Sequence, residues 1–143
     1  QFDKSYPCLY GKDELYHALN DMDYVVNLLP DTEETQDLIN KTFFDACNHD
    51  LWLINVGRGN TVNEHDLLVA CQLNNIAGAT LDVFKQEPLP ADHPFWQTSN
   101  IDITPHIAAI TDQKEIIEQI AKNYLAMLNG EQVDNVVDKL KGY

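Results

Sequence analysis

Residues 51–59 read Leu-Trp-Leu-Ile-Asn-Val-Gly-Arg-Gly, an apolar run that ends in an arginine flanked by two glycines. The run is short and carries few polar side chains, which is typical of a strand in a parallel sheet. The two glycines allow either a positive φ or a close approach of the backbone to a neighbouring segment. This stretch therefore predicts a buried strand, Leu51–Val56, that delivers Arg58 to one end of a sheet.

Further strands and helices follow from the same kind of pattern on either side. Apolar runs predict strands at Asp23–Leu29, Ile76–Phe84 and Asn100–Thr104. Helices are predicted over Lys12–Leu19, over Thr32–Ala46 with a break near Asn40, after a cap at Asn63, and from Asp112 to Asn129-Gly130. The proline-rich segment Lys85–Gln97 is expected to lack regular structure. Alternating strands and helices predict the α/β class, with a doubly wound parallel sheet of partial Rossmann type covered on both faces.

Composition excludes several functional classes. The 143 residues include 9 basic and 23 acidic side chains, for a formal net charge of −14. This charge repels nucleic-acid phosphates and anionic lipid headgroups, so neither nucleic acid nor a membrane is an expected partner. Cys8, Cys47 and Cys71 are too far apart for a metal-ligand motif or a disulfide framework. We expect a cytoplasmic protein without a metal site, and we interpret Gln1 as a cut within a longer protein.

Candidate functional residues follow the ends of the predicted strands, where ligands bind in open α/β sheets. Arg58 is the only arginine in the chain, whereas the other eight basic residues are lysines. Its guanidinium matches a carboxylate ligand, although a surface salt bridge is the commoner role of an arginine. We favour the binding role because the chain uses lysine for every other positive charge.

Glu87 and His106 are separated by one predicted loop and one predicted strand, so the two side chains can meet. Each residue alone would be an ordinary loop glutamate or turn histidine. Beside Arg58, they would form an acid–base pair in which the carboxylate holds the imidazole in one tautomer and favours its protonated form. The other histidines are expected at the surface, and the cysteines in packing roles.

Several motifs, in this order, are similar to those of the D-2-hydroxyacid dehydrogenases, in particular the subgroup that reduces glyoxylate and hydroxypyruvate. They are Asn27-Leu28-Leu29-Pro30 with Thr32 and Thr35, Leu53–Gly59, Leu81–Phe84 with Glu87–Pro90, Thr104–Ala109, and the terminal Lys141-Gly142-Tyr143. The resemblance implies that Arg58 binds the carboxylate of a small 2-keto acid, His106 protonates its keto oxygen, and Glu87 orients His106. It also implies a nicotinamide cofactor, NADP rather than NAD. The implied cofactor-binding residues are Leu29, Pro30, Thr35, Val56, Gly57, Arg58, Asp82, His106 and Ala108, of which Asp82 could instead be a plain acid at a strand end.

The resemblance also predicts how the chain is organised. Residues 1–110 would be part of an NAD(P)-binding domain, and residues 111–143 a helix and tail that pack toward a substrate domain outside this chain. No Gly-x-Gly-x-x-Gly phosphate loop occurs in the sequence. We therefore expect the chain alone to be inactive, and the full-length parent to be a homodimeric oxidoreductase. Two alternatives remain open. One is a non-catalytic nicotinamide-binding scaffold or corepressor, and the other is an interaction domain in which Arg58, Glu87 and His106 are dispersed.

Overall fold

The computed structural model describes residues 7–110 and 112–139. The chain divides into two compact units, Gln1–His106 and Ile107–Tyr143. The predicted tail motif Lys141-Gly142-Tyr143 lies outside the described residues.

A parallel sheet of four strands, in the order β1-β2-β3-β4, forms the centre of the first unit. The strands are β1 Tyr24–Asn27, β2 Trp52–Asn55, β3 Gly78–Leu81 and β4 Ile101–Ile103. The helices are α1 Gly11–Leu19, α2 Lys41–Ala46 and α3 Glu64–Gln72, with 3-10 turns at Gly59–Thr61 and Pro94–Gln97. In the parallel register Asn27 pairs with Asn55, Asn55 with Leu81, and Leu81 with Ile103. The strands thus end at the same edge, and the predicted parallel α/β sheet is confirmed.

The hydrophobic core lies between one face of the sheet and the three helices. Leu53 and Ala79 of the sheet are completely buried in one cluster with Leu19, Phe43 and Leu67 of the helices. Burial of such side chains stabilises the fold by about 1.5–3 kcal/mol each.

The opposite face differs from the prediction that both faces are covered. Tyr24, Val26 and Leu28 point away from the core and are 68%, 52% and 71% exposed. The prediction that the sheet is covered on both faces was therefore wrong for β1 within the described residues. An apolar run shows that a strand can be buried on both faces, but it does not show which segment would cover the second face.

Two local predictions are also corrected. The segment expected to be helical over Thr32–Ala46 is helical only in α2, because the turns at residues 33–37 are followed by a β-bridge between Ile39 and Val62. The predicted break near Asn40 is confirmed, since Asn40 caps α2 by accepting a hydrogen bond from the Thr42 amide. The proline-rich segment expected to be irregular contains the 3-10 turn Pro94–Gln97. Proline is favourable in the first turn of a helix, where its missing N–H is not needed.

The second unit contains helix α4, Gln113–Asn129. Its start and end agree with the sequence prediction, because the Asp112 side chain accepts from the Lys114 amide and Gly130 adopts a φ of 71°. Ile117, Ile120 and Leu128 of its apolar stripe are exposed. No helix in the described ranges is long and apolar enough to span a membrane.

Candidate active site

The loops that follow the four strands bring the predicted residues to one edge of the sheet. Pro30 follows β1, Arg58 follows β2, Asp82 directly follows β3, and His106 follows β4. Because the strands are parallel and end in register, these loops are neighbours, as the sequence predicted.

Glu87 and His106 form a direct hydrogen bond. The His106 Nδ1 atom lies 2.8 Å from Glu87 Oε2, while Glu87 Oε1 accepts a hydrogen bond of 2.9 Å from the Phe84 amide. One carboxylate oxygen therefore fixes its own loop and the other orients the imidazole. With Glu87 ionised, Nδ1 donates the hydrogen bond, so Nε2 is the ring nitrogen that faces away from the carboxylate and can exchange a proton.

The charge state of Glu87 follows from the same contacts. The hydrogen bonds from the His106 side chain and the Phe84 amide lower the pKa of the Glu87 carboxyl below its ordinary value, and the positive charge of Arg58 acts in the same direction. Glu87 is thus a carboxylate at neutral pH, and Arg58 lies within electrostatic reach of it.

His106 also has an unusual backbone conformation. Its φ of 53° lies in the left-handed region, which costs a non-glycine residue about 1–2 kcal/mol. Strained backbone of this kind is concentrated at functional sites, where surrounding contacts maintain it. Here the strain occurs at the residue whose ring is held by Glu87.

Arg58 is an exposed residue between two buried glycines. Its Nη1 atom donates a 2.8 Å hydrogen bond to the Gly57 carbonyl. Among the described residues no carboxylate forms an ion pair with Arg58. The surface salt-bridge interpretation therefore has no partner in this part of the chain, and the guanidinium keeps donors for a ligand.

The two glycines of the Arg58 loop are required for close packing rather than for positive φ, which neither of them adopts. A Cβ on Gly57 would lie 2.8 Å from the Leu29 carbonyl oxygen, and a Cβ on Gly59 would collide with the Phe84 backbone. The structure thereby decides between the two possibilities that the sequence left open. The close approach joins the loops that follow β1, β2 and β3.

Two cavities adjoin these loops. One, of about 850 Å³, is lined mainly by apolar residues and includes Leu29 and Thr35, which are predicted to contact the cofactor. Thr35 Oγ1 donates to the Pro30 carbonyl at 2.6 Å, so this loop is held from within. The other cavity, of about 220 Å³, is lined by Asp82, Glu87, Thr104 and His106, among others.

Asp82, Val56 and Ala108 differ in their surroundings. Asp82 is 2% exposed and its Oδ1 atom accepts a 2.6 Å hydrogen bond from Thr104 Oγ1. Val56 is half-buried beside Gly57, and Ala108 is an exposed residue of the second unit. Their cofactor roles stay predictions.

The cysteines lack nucleophilic character where they are buried. Burial raises the pKa of the Cys47 and Cys71 thiols to about 12, so both stay protonated at neutral pH. This agrees with the packing role predicted for these two residues, whereas Cys8 is exposed and the packing prediction was wrong for it.

Sequence reasoning assigned no role to Asn27, Asn55 or Thr61, which form a buried polar cluster directly beneath the Arg58 loop. The sequence feature that could have indicated this cluster is an asparagine near the end of each of two neighbouring apolar runs. Burying such a polar group is unfavourable unless it is hydrogen-bonded.

Residues 4–108 match the family model described as D-isomer specific 2-hydroxyacid dehydrogenase, NAD binding domain. Glyoxylate/hydroxypyruvate reductase A from Photorhabdus laumondii is 42% identical over 134 residues, which cover 94% of this chain and 43% of the relative. The protein of that name from Yersinia enterocolitica is 39% identical over 133 residues, or 93% of this chain and 42% of the relative. The chain thus spans less than half the length of these curated relatives.

Solved structures show the same similarity. A D-isomer specific 2-hydroxyacid dehydrogenase from Xanthobacter autotrophicus Py2, in complex with NADPH and MES, is 37% identical with a TM-score of 0.93; the match covers 100% of this chain and 59% of that chain. An NADPH-dependent glyoxylate/hydroxypyruvate reductase from Sinorhizobium meliloti, in complex with NADP and sulfate, is 32% identical with a TM-score of 0.86, covering 94% of this chain and 44% of that chain.

Proposed function

Because this chain belongs to the D-isomer specific 2-hydroxyacid dehydrogenase family through its NAD-binding domain, we propose that it forms part of an oxidoreductase that reduces small 2-keto acids such as glyoxylate and hydroxypyruvate. The observation that carries the proposal is the 2.8 Å contact between Glu87 and His106, within electrostatic reach of Arg58. This arrangement combines an anion-binding group with a proton donor whose ring is oriented, which is what reduction of a 2-keto acid requires.

In the proposed mechanism Arg58 binds the substrate carboxylate through its guanidinium fork and draws electron density toward the 2-keto oxygen. His106 donates the Nε2 proton to that oxygen, while ionised Glu87 accepts the hydrogen bond from Nδ1 and keeps the ring oriented. A nicotinamide cofactor, when bound, supplies the hydride that adds to the carbonyl carbon. Carbonyl, hydride and proton together give the 2-hydroxy acid.

We propose NADPH as the cofactor. Leu29 and Thr35 line the larger cavity and provide an apolar wall next to β1, while Asp82 and His106 line the smaller one. Both cavities lie beside loops at the edge where parallel sheets bind nucleotides, so these residues fit a cofactor extended along it. The preference for NADPH rests on the similar Xanthobacter and Sinorhizobium proteins, whose structures contain NADPH or NADP. A homodimeric assembly remains a prediction of the family resemblance, and a cytoplasmic location remains a prediction from the composition.

The proposal is tested in a chimeric reductase, in which this chain replaces the matching segment of the Photorhabdus laumondii relative. The oxidation of NADPH with glyoxylate is followed by absorbance. We expect turnover that His106→Asn abolishes and that His65→Asn, the same change at an exposed histidine outside the pair, preserves. A folded chimera that binds NADPH without turnover would contradict the proposal and support the non-catalytic scaffold.

A further inference from the structure

We infer that Asn27, Asn55 and Thr61 are positioning residues that hold the backbone of Arg58 in its substrate-binding geometry, an inference that rests on the proposed function. The three side chains are 3%, 1% and 0% exposed. Asn27 and Asn55 end the neighbouring strands β1 and β2, and Thr61 closes the 3-10 turn that follows Arg58.

Two of these residues, Thr61 and Asn55, donate hydrogen bonds to one atom, the Arg58 carbonyl oxygen. It accepts from Thr61 Oγ1 at 2.6 Å, from the Thr61 amide at 3.2 Å and from Asn55 Nδ2 at 3.4 Å. Asn27 Nδ2 completes the cluster by donating to Thr61 Oγ1 at 2.6 Å and to Asn55 Oδ1 at 2.8 Å. Thr61 therefore donates its hydroxyl proton to the arginine loop and accepts from β1.

The same side chains shape both loops at the site. Asn27 Oδ1 accepts from the Leu29 amide and Asn55 Oδ1 accepts from the Gly57 amide, each at 3.2 Å. Each asparagine thus folds over the loop that continues its own strand, while the bond between the asparagines joins the two loops. The cluster links Leu29, a predicted cofactor residue, to Gly57 and Arg58.

General stability alone would not require this arrangement. Two apolar side chains of similar shape could replace a buried polar pair at little cost in stability, whereas only directed donors and acceptors fix a loop carbonyl and two loop amides at once. A displacement of about 1 Å at a binding group can lower turnover about a hundredfold, so a loop that carries Arg58 requires such fixing.

The decisive variant is Thr61→Val, which removes the hydroxyl and preserves the shape of the side chain. In the chimeric reductase we expect kcat/KM for glyoxylate to fall at least about tenfold, mostly through a higher KM for glyoxylate, while the KM for NADPH changes little. Thr61→Ser restores the hydroxyl and should recover most of the loss. Thr98→Val is the matched control, because the Thr98 hydroxyl also donates to a backbone carbonyl, that of Pro94, outside the cluster.

A second measurement uses the 143-residue chain itself. The amide hydrogens of Leu29 and Gly57, both bonded to the cluster, should exchange slowly with deuterium in the unmodified chain and faster in Thr61→Val, beyond what any fall in Tm explains. Fast exchange of both amides in the unmodified chain would overturn the inference, even if Thr61→Val does not fold.

The outcomes separate this inference from the proposed function. A folded unmodified chimera without turnover contradicts the proposed function, and this inference falls with it. If the unmodified chimera is active but Thr61→Val lowers only Tm, or lowers kcat without raising the KM for glyoxylate, the proposed function stands and the positioning role is overturned. The positioning role is supported if kcat/KM for glyoxylate falls in Thr61→Val, recovers in Thr61→Ser and stays unchanged in Thr98→Val.

Discussion

At the scale of single residues, Glu87 connects the backbone of its own loop to the imidazole of His106. Its two carboxylate oxygens have different partners, the Phe84 amide and the His106 ring. Both partners favour the ionised carboxylate, which accepts a hydrogen bond from each of them. Because both side chains of the pair are exposed, the contact contributes little to the free energy of unfolding, and its main effect is to orient the His106 ring.

The pKa of Glu87 provides a direct test of this pair. An NMR titration of the Glu87 side-chain carbon should give a midpoint below the ordinary value of 4.5, because the His106 hydrogen bond is the largest cause of the lowering. His106→Asn should move the midpoint upward, and the control His65→Asn, at an exposed histidine, should not. Since the folded-state pKa is lowered, the stability contributed by the pair is complete above the ordinary value and is lost as pH falls through the lowered one. An unchanged midpoint in His106→Asn would show that the pair does not form.

Arg58→Lys tests whether the guanidinium fork matters beyond its charge. A lysine ammonium cannot make the two parallel hydrogen bonds of an arginine to a carboxylate. In the chimeric reductase we expect kcat/KM for glyoxylate to fall about ten- to a hundredfold, as for the loss of one charged hydrogen bond. Lys114→Arg, on α4, is a control that exchanges the same two residue types at an exposed position. Unchanged kinetics in Arg58→Lys would return Arg58 to a surface role.

At the scale of elements, the site depends on how closely three loops approach one another. Gly57 packs on the loop after β1, and Gly59 packs on the loop after β3, which continues to Glu87. The helices contribute indirectly, by burying the inner face of the sheet and thus fixing the strands from which these loops begin.

Gly59→Ala should destabilise the chain by about 1–3 kcal/mol, because the added methyl group has no space against the Phe84 backbone. Urea unfolding followed by circular dichroism measures the difference. Gly11→Ala is the comparison, since its methyl group would meet open space and would cost only the penalty of a positive φ. A smaller loss for Gly59→Ala than for Gly11→Ala would contradict the close packing of these loops.

At the scale of the whole molecule, the chain contains the residues proposed to bind substrate and nicotinamide but no Gly-x-Gly-x-x-Gly sequence for the pyrophosphate. It spans 43% of the Photorhabdus relative and 42% of the Yersinia relative. Hydride transfer requires that the cofactor be held along its length and that water be excluded from the substrate.

The 143-residue chain by itself should therefore not oxidise NADPH in the presence of glyoxylate or hydroxypyruvate. Absorbance of the cofactor follows the reaction, and calorimetry measures cofactor binding separately, which should be weak. The chimeric reductase serves as the positive control. Steady oxidation above the protein-free rate, in a sample free of contaminating dehydrogenase, would show that the other part of the site is not needed.

Local patterns in the sequence predicted the parallel sheet, the caps at Asn63 and Asp112, and the placement of Arg58 and His106 after adjacent strands. These features depend on neighbouring residues and on the regular geometry of parallel strands, so the sequence alone is enough to indicate them. The family motifs likewise indicate Glu87 as the partner of His106.

Tertiary structure decided what depends on residues far apart in the chain. It shows that Gly59 packs on the Phe84 backbone, that Asn27 and Thr61 meet beneath Arg58, and that Tyr24 of β1 is 68% exposed. The local sequence of an apolar run or a glycine does not show which other segment packs against it. Only the folded chain determines which backbone approaches and which polar groups pair, because these contacts form between distant loops whose positions no local pattern specifies.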